Sequence, residues 1–490
     1  MTAPANHTAF LDEANALLGP RGFTRDGEIM APWLSDWRGR FHGSALGMAS
    51  PASTAEVSRF VALCARHRVA IVPQGGNSGM SGGATPDASG RAVLLSLRRM
   101  NAIREFDAPS RTVTCEAGLV LQTLHEAAAT QGLRFPLTLG GKGSATVGGL
   151  IATNAGGTQV LRHGTMRALV MGVEGVLADG TVLDGLTPLK KDNRGFDLKQ
   201  LLIGSEGTLG IVTAAVLRLV PAPAGRLVAW AGLASIADAR ALLLSCEATA
   251  SEALEGFEVL PAQALAAVLE YLPKARAPLA GAHAWHALIE LVAPRDGADE
   301  LAPLAQDILG QAMERGVVED AVIAASEGQA EAFWQLRDEI APAERARGPA
   351  MQHDISVPVA RMADFVTAAA RQVEDSFAGT QAVAFGHLGD GNVHFHVLAP
   401  PGSVRGAWEE QEGKRISMLV HDLVTDWGGS ISAEHGIGQM KLGEFARLGD
   451  PARLGVLRAV KQALDPLGIL NPGKLVPPMP QPLAGYGPAQ

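Results

Sequence analysis

Cysteine is scarce in this sequence, and its scarcity excludes two kinds of protein. Cys64, Cys115 and Cys246 are the only cysteines, and they lie far apart in the chain. Three scattered thiols form neither a disulfide framework nor a CxxC motif, and they are too few to ligate a cubane iron–sulfur cluster. We therefore expect a protein of a reducing compartment that carries no such cluster of its own.

Long apolar runs and basic runs are also missing. No stretch of about 18 or more apolar residues occurs, so no transmembrane helix is expected. The first residues, MTAPANHTAFLDEANALLG, lack the basic and apolar regions of a secretory signal peptide. The balance of Lys+Arg 41 against Asp+Glu 50 gives a net charge of −9, so we expect neither nucleic acid nor an anionic membrane surface as a partner. The sequence predicts a cytoplasmic protein.

Apolar residues and glycine are what the sequence has in quantity. Hydrophobic residues make up 47% of the 490 positions, enough to bury large cores in two or three domains. Many glycines gather in three loops, PQGGNSGMSGGATP (73–86), TVGGLIATNAGG (146–157) and GSEGTLGIVT (204–213). None is a Walker A or Rossmann motif. Each alone is typical of tight turns, but together they favour a large phosphate-bearing ligand such as a dinucleotide, because glycine lets backbone N–H groups approach an anion.

Three histidines lie close together in residues 385–397, FGHLGDGNVHFHV. Asp390-Gly391 predicts a two-residue type I′ hairpin turn. That turn would place His387 opposite His394, with His396 on the same face opposite Phe385. Two imidazoles so placed can hold one divalent ion, whereas a histidine pair on a solvated strand is the alternative.

A further metal ligand is expected from the segment SAEHG, residues 432–436. Glu434 offers a carboxylate and His435 a potential general base. A helix cap or a turn is the alternative interpretation of this segment.

The glycine loops, taken with HLGDGNVH, SAEHGIG and DPLGILNPGK, resemble the FAD-linked oxidoreductases of the vanillyl-alcohol-oxidase/p-cresol methylhydroxylase superfamily. The similarity is to its D-2-hydroxyglutarate dehydrogenase and D-lactate dehydrogenase branch. It implies an α+β fold in which a bipartite FAD-binding domain of the p-cresol methylhydroxylase (PCMH) type carries an inserted α+β, ferredoxin-like, substrate or cap domain. The expected parts are a FAD-binding domain (1–222), a cap domain carrying the metal site (223–455) and a C-terminal helical segment returning to the first domain (456–490).

The resemblance also implies a set of FAD-binding residues spread over the three loops and the C-terminal NPGK segment. These are Pro73, Gly75, Gly76, Asn77, Ser78, Gly79, Met80, Gly148, Gly149, Ala152, Asn154, Gly156, Gly157, Glu206, Gly207, Ile211 and Asn471. Residues 73–86 contain no histidine or cysteine, so we expect the FAD to be bound non-covalently.

By the same resemblance, His387, His394 and Glu434 are metal ligands, for Zn²⁺ or for Mn²⁺ or another divalent ion, and His435 is the catalytic base. The implied reaction oxidises a small D-2-hydroxy acid to the 2-oxo acid. The metal lowers the pKa of the hydroxyl group, His435 takes its proton, and the C2 hydride passes to flavin N5.

The residues expected at the substrate are Arg337, Ala341, Gln352 and His396. Arg337 matches a family arginine that binds the far end of the substrate. In the hydroxyglutarate branch a Ser or Thr stands at the position of Ala341, a Lys at that of Gln352 and an Asn at that of His396. The loss of a Lys and a hydroxyl weakens a second-carboxylate pocket, which favours a monocarboxylic or larger apolar D-2-hydroxy acid. Because Arg337 is retained, a substrate with a distal carboxylate is the alternative.

Other functions stay open. The favoured interpretation is a D-2-hydroxyglutarate-dehydrogenase-like enzyme. The alternatives are a D-lactate or other D-2-hydroxy-acid dehydrogenase or oxidase, and the flavin subunit of a larger electron-transfer complex. The expected partners are the hydroxy acid and an electron acceptor that is an electron-transfer flavoprotein, a quinone or a cytochrome. A homodimer is compatible with the sequence, and a non-enzymatic binding protein is the least favoured alternative.

Overall fold

A computed structural model describes residues 7–478, and it confirms the predicted α+β class. The strands of the first part of the chain are β1 (Phe23–Thr24), β2 (Met48–Ala49), β3 (Ala70–Gln74), β4 (Ala92–Ser96), β5 (Ile103–Asp107), β6 (Thr112–Glu116), β7 (Leu133–Arg134), β8 (Val170–Val176), β9 (Val182–Gly185), β10 (Ile211–Arg218) and β11 (Val220–Pro221). Its helices are α1 (Thr8–Gly22), α2 (Gly27–Met30), α3 (Thr54–His67), α4 (Leu121–Ala129), α5 (Val147–Thr153), α6 (Val160–His163), α7 (Met166–Leu169) and α8 (Lys199–Leu202).

Two sheets organise this first part. One has four strands in the order β1-β2-β4-β3, and the other has five strands in the order β5-β6-β10-β8-β9. Helix α3 begins at Ser53, whose hydroxyl accepts a hydrogen bond from the N–H of Glu56. The Glu56 carboxylate accepts in turn from the N–H of Ala52, so both groups satisfy donors at the helix start. Helix α3 is followed by β3, which ends at the first glycine loop.

The second part is built on one large sheet. Its strands are β12 (Gly225–Leu233), β13 (Leu254–Pro261), β14 (Trp285–Ala293), β15 (Asp320–Ile323), β16 (Ala350–Ser356), β17 (Gln381–His387) and β18 (Asn392–Leu398). The helices are α9 (Ile236–Ala250), α10 (Ala262–Tyr271), α11 (Leu301–Glu314), α12 (Glu327–Asp338), α13 (Ile340–Arg347), α14 (Met362–Ser376) and α15 (Ala407–Asp426), followed by α16 (Leu442–Leu448) and α17 (Pro451–Leu464). The seven strands pair antiparallel in the order β15-β12-β14-β13-β17-β18-β16.

Alternation along the strands divides this sheet into two faces. On one face Val393, Phe395 and Val397 are fully buried in a core shared with α9, α11, α14 and α15. The opposite face carries Phe385 in a second core with α10, α12 and α13. His387, His394 and His396 have the same parity as Phe385 in the pairing register, so they also lie on this second face.

The hairpin between β17 and β18 differs from its prediction. His394 pairs with Phe385, and His387 pairs with Asn392, so the predicted direct opposition of His387 and His394 is wrong. The predicted opposition of His396 and Phe385 is wrong too, because His396 pairs with Val383. The connection is a four-residue loop, residues 388–391, in which Leu388 is fully buried in the first core. The N–H groups of Asp390 and Gly391 both donate to the His387 carbonyl, at 3.3 and 3.2 Å, and close this loop. The slip is by two residues, so both imidazoles still share one face.

The end of the described chain returns to the first sheet. Leu470 forms a parallel bridge with Ile71 of β3, and the N–H of Asn471 donates to the Ile71 carbonyl at 2.8 Å. The predicted boundary at residue 222 falls between β11 and β12. Among residues 7–478, no helix combines the length and apolarity needed to cross a bilayer.

Candidate active site

The first glycine loop presents a row of unused hydrogen-bond donors. It directly follows the mostly buried strand β3. None of the backbone N–H groups of residues 75–80 donates a hydrogen bond to another residue of the described range 7–478. Gly76 has no room for a side chain, because a Cβ there would lie 1.6 Å from the carbonyl oxygen of Ser144. Such a row of free N–H groups fits the phosphates of FAD.

Several predicted FAD-binding residues instead hold the loops against one another. A Cβ at Gly75 would lie 2.2 Å from Oγ1 of Thr146, and one at Gly207 would lie 2.4 Å from Pro73. The Asn154 carboxamide oxygen accepts hydrogen bonds from the Thr165 hydroxyl and from the N–H of Arg167. Close packing or burial likewise accounts for Gly148, Gly157 and Ile211. The partly or fully exposed members of the set are Pro73, Gly75, Gly76, Asn77, Ser78, Gly79, Met80, Gly149, Ala152 and Asn154.

Glu206 and Asn471 join three segments that are far apart in the chain. The Glu206 carboxylate accepts from the N–H groups of Ile437 and Gly438, both at 2.7 Å. The Asn471 side chain donates to the carbonyl of Gly83 at 2.9 Å and to that of Glu206 at 2.7 Å. Burial raises the pKa of Glu206. The buried Oδ1 of Asn471 has no partner among the described residues, which is compatible with a donor from a bound ligand.

His387, His394 and Glu434 come together beside these loops. One ligand atom from each lies within 4.8 Å of those of the other two, which is the spacing that one metal ion needs. The ring centres of His387 and His394 are 5.7 Å apart. A Cβ at Gly156 would lie 3.1 Å from Oε1 of Glu434. The second glycine loop therefore borders the cluster, and its glycine leaves room for the Glu434 carboxylate.

Two buried carboxylates face the Nδ1 atoms of the two imidazoles. Glu258 contacts Nδ1 of His387 and accepts from Nε of Arg337 at 2.8 Å. Asp354 Oδ1 lies 3.9 Å from Nδ1 of His394. Burial alone would raise the pKa of both carboxyl groups, but their cationic and N–H neighbours hold both pKa values well below the usual range. The Glu258 contact fixes the ring of His387, whereas Asp354 lies too far from Nδ1 of His394 for a hydrogen bond and acts on that ring through its charge.

His435 shares the same buried carboxylate. Asp354 Oδ2 accepts from the N–H groups of Glu434 and His435, at 2.9 and 3.0 Å, and lies 3.4 Å from Nδ1 of His435. Burial lowers the pKa of the His435 imidazole to about 4, against the effect of Asp354. Burial also raises the pKa of Glu434 to about 7. The imidazole of His435 is thus neutral and able to accept a proton at neutral pH.

The predicted substrate residues occupy two adjoining places. Arg337 is held by Glu258, and its guanidinium lies 3.3 Å from Nε2 of His387. Ala341 follows Arg337 by four residues, at the start of α13. Gln352 pairs with His396 across β16 and β18, two residues from the pair Asp354 and His394. His396 contacts the buried carboxylate of Glu344 through Nδ1, so it lies outside the 4.8 Å cluster.

Five residues that complete the site were not predicted from the sequence. Glu258 and Asp354 orient the histidines, and Lys441 donates to the Asp354 carbonyl at 3.2 Å. Asn392 donates to the Asp354 carboxylate at 2.9 Å, and Arg38 donates to Gln352 at 2.9 Å. The strand segment QHDIS, residues 352–356, was the available signal for Asp354, because side chains alternate along a strand and Asp354 shares one face with Gln352. Nothing local marks Glu258 or Arg38, which reach the site through tertiary packing.

Comparison with known proteins identifies the family to which the chain is similar. A family profile described as "FAD linked oxidases, C-terminal domain" matches residues 222–475, and one described as "FAD binding domain" matches residues 45–185. A protein of Oryza sativa subsp. indica named "Probable D-2-hydroxyglutarate dehydrogenase, mitochondrial" is 38% identical over 464 residues, covering 94% of this chain and 80% of that protein. A D-2-hydroxyglutarate dehydrogenase of Xanthomonas citri pv. viticola is 37% identical over 440 residues, covering 90% of this chain and 91% of its own.

Solved structures support the same fold. Substrate-bound p-cresol methylhydroxylase superposes with a TM-score of 0.74 at 15% identity, covering 96% of this chain and 97% of that chain. The likeness confirms the predicted PCMH-type architecture, and the profiles and relatives confirm the resemblance on which the prediction was based. The chain therefore belongs to the family of FAD-linked oxidases.

Proposed function

We propose that this protein is a FAD- and divalent-metal-dependent dehydrogenase that oxidises a D-2-hydroxy acid to the 2-oxo acid. The observation that carries the proposal is the cluster of His387, His394 and Glu434, which adjoins His435 and borders a FAD-binding loop at Gly156. Relatives named D-2-hydroxyglutarate dehydrogenases, at 37–38% identity, support the same reaction class.

The residues present fit both groups that this reaction requires. Unpaired N–H groups of residues 75–80 suit phosphate oxygens, and two imidazoles with a carboxylate suit Zn²⁺ or Mn²⁺ with positions left for substrate. When bound, FAD supplies the acceptor for the C2 hydride, and the divalent ion supplies the positive charge that lowers the pKa of the substrate hydroxyl.

The chain itself supplies orientation and a place for the proton. Glu258 fixes the ring of His387, and the charge of Asp354 acts on the ring of His394 from 3.9 Å, so the donor atoms are arranged before substrate arrives. His435 takes the hydroxyl proton on Nε2, while its Nδ1 faces Asp354. We expected Arg337 at the far end of the substrate, but its guanidinium lies 3.3 Å from Nε2 of His387, so we propose that it provides positive charge for the C1 carboxylate instead.

Two finer properties belong to the same proposal. We infer that FAD is bound non-covalently, because residues 73–86 offer no histidine or cysteine for attachment. We also infer a reducing, cytoplasmic setting, because Cys64, Cys115 and Cys246 are all free and buried. Precipitation with acid tests the first inference, since non-covalent FAD is released into the supernatant.

Anaerobic bleaching of the purified flavoprotein tests the function. We expect D-2-hydroxy acids to bleach the flavin absorbance and their L-enantiomers to leave it unchanged. Removal of metal with a chelator should abolish bleaching, and Zn²⁺ or Mn²⁺ should restore it. A flavin that no D-2-hydroxy acid reduces, with metal present, would overturn the proposal.

A further inference from the structure

A closed loop connects the second glycine loop with the metal cluster. Its two ends are joined, because the N–H of Met166 donates to the carbonyl of Ala155 at 2.8 Å. Beside them, the Asn154 carboxamide oxygen accepts from the Thr165 hydroxyl at 3.0 Å. Residues 155–166, which we name the bridging loop, therefore have a fixed base at the end of the second glycine loop.

The start of the bridging loop is packed directly against one proposed metal ligand. A Cβ at Gly156 would lie 3.1 Å from Oε1 of Glu434. On the next residue, a Cβ at Gly157 would lie 2.2 Å from the carbonyl oxygen of Thr138. Both glycines are buried. Because this segment is closely packed on both sides, it cannot shift without moving the Glu434 carboxylate or the Thr138 backbone.

The middle of the bridging loop contacts the hairpin that carries the other two proposed ligands. The half-buried side chain of Leu161, in α6, packs against the first core of the large sheet. A Cβ at Gly389 would lie 2.6 Å from Cδ1 of Leu161. Gly389 belongs to the loop 388–391, which joins the strands of His387 and His394. Leu161 therefore bears on the connection between the two imidazole-bearing strands.

The end of α6 is attached to the large sheet by charge. Nη1 of Arg162 lies 3.1 Å from Oε2 of Glu255, and Nε2 of His163 lies 3.8 Å from the same oxygen. Glu255 is in β13, three residues before Glu258, whose carboxylate contacts Nδ1 of His387. The bridging loop is thus held at the sheet by both apolar packing and an ion pair.

We propose that the bridging loop couples the binding of FAD to the binding of the metal, with Leu161 as its positioning residue. This inference rests on the proposed function, which supplies both occupants. FAD at the second glycine loop fixes the base of the bridging loop. The loop then holds Glu434 and the 388–391 connection where the three ligands converge. Coupling of two sites is reciprocal, so each group tightens the binding of the other by the same factor.

Metal titration of the full-length protein with and without FAD tests the coupling. Zn²⁺ is titrated against a competing chelator dye, and we expect its Kd to be about tenfold lower in the FAD-loaded protein. The reciprocal titration follows flavin fluorescence, and the Kd of FAD should fall by the same factor when Zn²⁺ is present. Equal Zn²⁺ affinities with and without FAD would overturn the inference, and this comparison needs no variant.

Substitutions of Leu161 separate coupling from simple packing. Leu161→Ala should reduce the coupling factor to about twofold or less, because the side chain that contacts the hairpin connection is removed. Leu161→Met keeps the volume and should keep the coupling. Leu183→Ala is the matched control, since Leu183 is also half-buried but packs in the core of the first part of the chain. It should lower thermal stability and leave the coupling factor at the wild-type value.

The results distinguish this inference from the proposed function. A full coupling factor in Leu161→Ala would overturn the role of the bridging loop, and so would an equal loss in Leu183→Ala. Both outcomes leave the proposed function intact if D-2-hydroxy acids still bleach the flavin of the metal-loaded protein. A protein that binds no Zn²⁺ in either the FAD-loaded or the FAD-free state would instead overturn the proposed function.

Discussion

Asp354 contacts His435 at two points. Its Oδ2 accepts a hydrogen bond from the backbone N–H of His435 at 3.0 Å and lies 3.4 Å from Nδ1 of the His435 ring. One buried carboxylate therefore sets both the position of the backbone and the direction in which the imidazole presents Nε2. The same carboxylate also faces His394. The proposed base and one proposed metal ligand are thus oriented by a single group that neither the motif nor its spacing identified.

Replacement of this carboxylate should affect metal binding and turnover together. We expect Asp354→Asn to lower metal affinity and kcat about tenfold to a hundredfold each, since groups that orient ligands have effects of that size. Steady-state kinetics and metal titration against a competing chelator measure the two effects. Asp364→Asn, an exposed position on α14, is the control. Unchanged metal affinity in Asp354→Asn would contradict the assigned role.

The three histidines of the β17–β18 hairpin should behave differently. His387→Ala and His394→Ala remove cluster ligands, so we expect purified protein with little bound Zn²⁺. His396→Ala should keep its metal, because His396 contacts Glu344 and lies outside the cluster. Elemental analysis of the three variants, each with its FAD content, checks this. Metal loss in His396→Ala equal to that in the other two would require a third imidazole ligand.

The base is expected to act in chemistry and not in assembly. His435→Gln should retain FAD and metal but reduce kcat by about a hundredfold or more, the usual contribution of a positioned base. Anaerobic stopped-flow reduction of the flavin measures the chemical step directly. A variant that reduces its flavin at the wild-type rate would exclude His435 as the base.

Glycine variants can separate packing from cofactor contact in the loops. Gly76→Ala forces a Cβ against the Ser144 carbonyl, so we expect lower thermal stability and lost FAD. Gly79→Ala meets no protein atom within 4 Å, so it should leave the apoprotein's stability unchanged and weaken FAD binding if the loop holds the phosphates. Gly143→Ala, also in open space, is the control. Normal FAD affinity in Gly79→Ala would place the phosphates elsewhere.

An ion-pair cluster around Glu255 should make the free energy of unfolding depend on pH. Glu255 in β13 is 2% exposed and contacts Arg134 at 2.6 Å and Arg162 at 3.1 Å. Burial alone would raise the pKa of its carboxyl group, but His163 and the two arginines lower it to about 2. A lowered folded-state pKa stabilises the folded protein above the ordinary value of 4.5, and this contribution is lost as pH falls from 4.5 toward 2.

Glu255→Gln should accordingly destabilise the protein by about 2 kcal/mol at pH 6, since it leaves two partly buried arginines without their buried partner. The difference from wild type should shrink when urea unfolding is repeated near pH 3.5. Glu252→Gln, an exposed neighbour, should have no effect at either pH. A difference that is constant with pH would show that the ionised carboxylate is not the cause.

The sequence predicted the donors of this site better than it predicted their geometry. His387, His394, Glu434 and His435 were identified from motifs, because ligating residue types at short spacing leave a local signature. The hairpin register was missed, because Asp390-Gly391 predicts a two-residue turn, whereas the N–H groups of both residues donate to the His387 carbonyl and close a four-residue loop. Arg38 and Glu258 were missed for a related reason, because they reach the site from other strands and loops and no spacing along the chain encodes that approach.

The pairing of residues 470–471 with β3 sets the order in which contacts of the glycine loops form during synthesis. The Asn471 side chain donates hydrogen bonds to the carbonyls of Gly83 and Glu206, and Leu470 forms a parallel bridge with Ile71. During synthesis the glycine loops leave the ribosome long before these residues do. The contacts that hold the first and third glycine loops together through Asn471 can therefore form only after residue 471 has emerged.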